Sequence, residues 1–167
     1  MRGSQPHPLD AALRRSAFCV GAWCGGLQLG LIYGLSFLWS STAYTVLWVL
    51  ACWFCGGLLG LHQQPSRFRP AVWLYPLLAP LLLTAAPSLP PQILFLSSLS
   101  GGFAAGYWML GLERHLVQAL RWESLGMGAG YLCIGLTAYR GLETMVVPVA
   151  LLTGLLVWRE HTWRSRA

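Results

Sequence analysis

Six apolar runs follow one another in this chain of 167 residues, at 17–39, 42–61, 71–86, 92–112, 124–139 and 142–158. No other feature restricts the fold as much. A water-soluble domain of this size buries one compact core and carries about 25% charged residues. Here 56% of the residues are hydrophobic and 10% are charged. A hydrocarbon core about 30 Å thick needs close to 20 helical residues at about 1.5 Å each. The expected fold is therefore all-α, a polytopic transmembrane bundle of six short spans. It forms a single domain over 17–158, with a cytoplasmic N-terminal segment over 1–16 and a cytoplasmic basic tail over 159–167.

The runs differ in character. The first follows Arg14 and Arg15, but it is longer than a signal-peptide core and no A-x-A site follows it, so it is expected to be a retained span. The third carries Pro76 and Pro80, which predict a kink. Pro87, Pro90 and Pro91 mark an external turn. Between runs four and five, Leu112, Leu116 and Leu120 recur every fourth residue while Arg114, Gln118 and Arg121 face elsewhere. That pattern predicts an interfacial helix or an extension of the fourth span. The last two runs are short, so four spans plus a re-entrant hairpin is the alternative architecture, and it too keeps both termini on one side.

The net charge of +6 comes from eleven arginines with no lysine. They do not form a patch with interleaved aromatics, so nucleic acid is not an expected partner. Ten of the eleven fall in the N-terminus, 62–70, 113–123 and the C-terminus, and Arg140 alone lies in the opposite set of loops. The positive-inside rule then makes both termini cytoplasmic. Arginine to the exclusion of lysine fits a GC-rich bacterial genome, so the expected location is a bacterial inner membrane, multi-pass, with the lipid bilayer as first partner. Trp39 at the outer end, and Trp73, Trp122, Trp158 and Trp163 at the inner ends, fit interfacial aromatic belts.

Glycines form stripes. Gly21, Gly25, Gly26, Gly30 and Gly34 line one side of the first run, and Gly56/Gly60, Gly102/Gly106 and Gly126/Gly130 are further small-xxx-small pairs. Such stripes let helix backbones approach closely in lipid. They serve packing inside the chain or a face for another membrane subunit or a second copy, the first helix being the best candidate. Gly25–Gly30 and Gly101–Gly106 share the pattern GGxxxG at an offset of 76 residues. Three spans per repeat would place the two halves inverted in the membrane, a 3+3 inverted repeat of the kind frequent in transporters.

No G-x-S-x-G, H-E-x-x-H or P-loop pattern is present, and no catalytic residue is assigned. Cys19, Cys24, Cys52, Cys55 and Cys133 lie within apolar runs and read as buried thiols. Cys52 and Cys55 share a helix face but sit away from a cation or a helix N-terminus, so redox chemistry has little support. Neither metal nor cofactor is expected, and the chain does not read as an enzyme. No ionisable side chain occupies the middle of a run, which disfavours proton-driven transport. The polar residues at depth, Gln28, Tyr33, Ser97, Ser98, Ser100 and Tyr107, are the candidate lining of a site for a neutral or amphipathic ligand. The leading expectation is a small permease-type membrane subunit handling a neutral or amphipathic solute or lipid. The competing class is a non-transporting scaffold or assembly subunit of a larger membrane complex.

Overall fold

The computed structural model describes residues 8–38, 42–62, 78, 81, 88, 90–109, 116–140, 144 and 147–155. Among these the chain is helical throughout, with no strand. Four helices carry the architecture: α1 (Pro8–Leu38), α2 (Thr42–Leu61), α3 (Pro91–Met109) and α4 (Leu116–Ala138). A shorter helical stretch covers 147–155. Proline opens α1 and α3, at the position where its missing N–H is one a helix leaves unbonded anyway. α4 closes in a turn in which the Arg140 N–H donates to the Thr137 carbonyl at 2.9 Å.

Two boundaries differ from the sequence expectation. α1 starts at Pro8, so much of the polar segment 1–16 is already helical. The stretch from Leu116 to Glu123 extends the fifth run instead of the fourth or an interfacial helix. The inward residue there is Ala119, while Val117 and Leu120 are exposed. The leucine spacing misled because α4 approaches its neighbour through small residues.

Leu13–Ser36 and Ala43–Leu61 are long and apolar enough to cross a membrane. Among the described residues, these two stand where six spans were expected. α3 and α4 are comparable in length, at 19 and 23 residues, but serines, glycines and a polar first turn dilute them. The third run lies outside the described residues except for Leu78 and Leu81.

The helices associate as two parallel pairs. A Cβ built on Gly21 would overlap the backbone of Glu123, and one on Gly25 the backbone of Met127. Residue numbers rise together, so α1 and α4 run parallel. In the same way Gly56 lies against Leu99 and Phe103, and Gly60 against Phe103 and Tyr107, which makes α2 and α3 parallel. Between the pairs, the Trp23 and Trp108 rings meet edge to face with centroids 5.1 Å apart, and Leu27 lies against Gly101. Here one number rises as the other falls, so α1 and α3 are antiparallel.

α1 is the central helix, buried on every side from Val20 to Gln28, as a helix apolar all round must be. α2 buries one stripe, Thr45, Val49, Trp53, Gly56 and Gly60, and turns its opposite side outward. Leu47 is 65% exposed, Phe54 66%, Leu132 on α4 68% and Leu136 76%. In water this would be an aggregating surface, whereas hydrocarbon solvates it.

Candidate functional site

The glycine contacts occur twice in the same register. On α4, Gly126 fits between the Phe18 carbonyl and the Ala22 amide of α1, and Gly130 between the Ala22 carbonyl and the Gly26 amide. On α2, Gly56 fits between the Leu99 carbonyl and the Phe103 amide of α3, and Gly60 between the Phe103 carbonyl and the Tyr107 amide. Each α1 residue in the first set becomes its α3 counterpart by a step of 81, and each α2 glycine becomes its α4 counterpart by a step of 70. Reciprocally, Gly21 and Gly25 meet Glu123 and Met127 as Gly102 and Gly106 meet Trp53 and Gly57.

The offset of 76 and the GGxxxG match are thereby corrected. The doublets Gly25–Gly26 and Gly101–Gly102 are not equivalent. Gly26 faces the side chains of Leu152 and Ile134, and Gly101 faces the Trp53 ring. A single offset fails because Gly25 and Gly56 are 31 residues apart, whereas Gly106 and Gly126 are 20 apart.

This placement locates the expected docking stripe inside the chain. Gly21, Gly25, Gly26, Gly30 and Gly34 are all buried, as are Gly102 and Gly106.

The candidate lining residues each make contacts of their own. Gln28 is 2% exposed, and its side-chain carbonyl accepts a hydrogen bond from the Tyr131 hydroxyl of α4. Ser98 donates to the Val49 carbonyl of α2 at 2.8 Å. Ser97 and Ser100 each donate to a carbonyl of their own helix, at Ile93 and Leu96, and Ser100 is exposed. Tyr107 stacks on Phe103 with ring centroids 6.4 Å apart, and half-buried Tyr33 packs on the core. Among the described residues, every buried side-chain nitrogen and oxygen has a partner.

Three residues outside that set matter as much. Trp23 is fully buried, and its indole N–H donates to Thr153 in the stretch 147–155 at 3.1 Å. Thr153 in turn donates to the Val149 carbonyl at 2.8 Å. The signal was in the sequence: an indole far from either aromatic belt needs an internal acceptor. Tyr131 and Thr153 gave no such signal, because a mid-run hydroxyl can always bond its own helix. Glu123, directly before the apolar run 124–139, is half-buried because its backbone presses on Gly21. Burial pushes its carboxyl above its ordinary value.

The described cysteines are all free. Cys24 is buried, Cys52 half-buried, and Cys55 and Cys133 exposed. Among the described residues no three His, Cys, Asp or Glu side chains are grouped so as to hold a metal. The cross-helix polar contacts are neutral hydrogen bonds, suited to holding helices in register. Comparison with protein families, with curated proteins and with solved structures finds no match.

Proposed function

We propose that the chain is a multi-pass inner-membrane subunit of permease type for a neutral or amphipathic solute or lipid, with both termini cytoplasmic. The repeated glycine register carries this reading. It relates α1 to α3 and α2 to α4, and α1 and α3 run in opposite directions, which is the relation expected of two halves inverted in a membrane. Transporters built this way place their pathway where the repeats meet.

The proposal keeps the six-span arrangement expected from the apolar runs. α2 ends beside Tyr107, whereas α3 begins beside about Val46 of α2, as judged from the Gly56 and Gly60 contacts. The described end of α2 and the described start of α3 are therefore about 24 Å apart along the pair. After α4, Thr144 donates to the Thr137 carbonyl at 2.7 Å, and Leu152 reaches Gly26, which itself lies beside Gly130. The stretch 147–155 thus descends along α4 to the level of Gly26, as either a sixth span or a re-entrant hairpin would. Among the described residues no charged side chain is fully buried, which favours a neutral cargo.

A scaffold role, beside a second copy or another membrane subunit, keeps one foothold. Gly128, Gly135 and Gly154 have nothing within 4 Å of a built Cβ, so α4 and 147–155 offer small residues outward. α1 does not.

The test is reconstitution into liposomes. Light-scattering uptake of glycerol and urea, and dithionite quenching of an NBD-labelled phosphatidylcholine, are measured against empty vesicles. An increase in at least one flux is expected. Rates equal to empty vesicles in all three overturn the permease reading and leave the scaffold.

A further inference from the structure

We propose that the protein works as two rigid bodies, one of α1, α4 and 147–155 and the other of α2 and α3, which part at the α1/α3 crossing. This rests on the permease reading. It adds where the pathway opens and which residues line it.

The division follows from what each contact is made of. Within a pair, backbone meets backbone at Gly21, Gly25, Gly126 and Gly130, and again at Gly56, Gly60, Gly102 and Gly106. Because the touching atoms are backbone, no side-chain rotation can admit sliding, so such a contact is bistable or fixed rather than deformable. Hydrogen bonds reinforce the same grouping. Tyr131 to Gln28 joins α4 to α1, Ser98 to Val49 joins α3 to α2, and Trp23 to Thr153 joins α1 to 147–155.

The α1/α3 crossing is built differently. α1 also touches α2, but the contacts at the crossing with α3 include the edge-to-face rings of Trp23 and Trp108 and the Leu27 side chain on Gly101. With Trp23 held by its bond to Thr153, the Trp108 and Leu27 side chains are the ones that can change rotamer and re-pack on a second surface. The step of 81 carries Trp23 to Ala104 and Leu27 to Trp108, so the Trp23–Trp108 contact maps onto Leu27–Ala104. Leu27 is found one turn away on Gly101, and it shares the core with Ala104. The centre of this crossing is Gly25 on α1, the middle of the apolar segment Leu13–Ser36. An inverted repeat requires its axis at that depth. A pathway opening there is lined by Trp23, Leu27, Ala104 and Trp108, all uncharged, so the cargo crosses as a neutral molecule with an apolar body.

Spin-label distances in nanodiscs test the division without any cargo. In a background with the five cysteines replaced by alanine, labels go on exposed positions. Leu58→Cys with Leu96→Cys reports within one body, and Ala11→Cys with Leu132→Cys within the other. Leu58→Cys with Leu132→Cys reports between them. Single narrow distances are expected within each body and two resolved distances between them, with Trp108→Ala changing the ratio of the two. A single narrow distance between the bodies, or two distances within either one, overturns the proposal. Its failure is separable from that of the permease reading, because flux can persist while the between-body distance is single, and two distances can persist where no flux is found.

Discussion

The indole N–H of Trp23 donates to Thr153 Oγ1 at 3.1 Å, joining two points 130 residues apart in the chain. The bond ties the central helix to the last described helical stretch, and Trp23 has no exposure at all. Its donor has no water to fall back on, so losing the acceptor leaves the whole desolvation cost.

Thr153→Val should therefore lower stability by about 1–3 kcal/mol, read as a fall in melting temperature in detergent. Thr153→Ser keeps the hydroxyl and should recover most of the loss. An equal loss for both would place the effect in the methyl group instead of the bond.

Gly130→Ala and Gly56→Ala should each be strongly destabilising, because the new Cβ would run into backbone with nothing able to yield. Overpacking of this kind costs about 1–3 kcal/mol or more. Gly128→Ala and Gly135→Ala meet open space, so they should be neutral or stabilising by about 0.5–1 kcal/mol through helix propensity. Thermal melts of the four variants in one detergent make the comparison.

Burial raises the Glu123 carboxyl above its ordinary value, so the folded protein binds this proton more tightly than the unfolded chain does. The stabilisation is full below the ordinary carboxyl range and is lost as pH rises through the folded-state value. Glu123→Gln should accordingly be more stable than the parent at neutral pH and should flatten the decline between acid and neutral pH. A Gln variant less stable at pH 7 would mean that the carboxylate is held by a favourable partner.

Orientation can be read by labelling single cysteines with an impermeant maleimide in spheroplasts. Tyr139, 94% exposed at the end of α4, should label from outside as Tyr139→Cys. Ala11→Cys and His62→Cys should label only after permeabilisation, since α1 begins and α2 ends at the opposite face. Labelling of Ala11→Cys and Tyr139→Cys from one side would contradict the parallel course of α1 and α4.

Much of the architecture was legible because it follows from solvent. Apolar runs over 17–39 and 42–61 correspond to α1 and α2, and the glycine spacing in α1 marked a face for close approach. What lies against that face was not legible. A GxxxG pair says that some backbone comes near, and the identity of that backbone is a long-range choice among helices with similar stripes. The apparent repeat shows the difficulty. Four-residue glycine spacing recurs in many registers, so the GGxxxG match selected an offset of 76 where the contacts use 81 and 70. The partners of Gln28, Ser97, Ser98 and Ser100 were illegible for the same reason, since a polar side chain at depth bonds whatever carbonyl or hydroxyl its own rotation around the helix presents.

The sequence by itself determined an all-helical chain rich in apolar runs, the charge asymmetry of its loops and the places where helices can touch backbone to backbone. Only the tertiary structure decided that α1 pairs with α4 and α2 with α3, in parallel and in matching register. Local composition sets which surfaces can be buried, but the partner for each surface is chosen by fit, and fit exists only once both helices are in place.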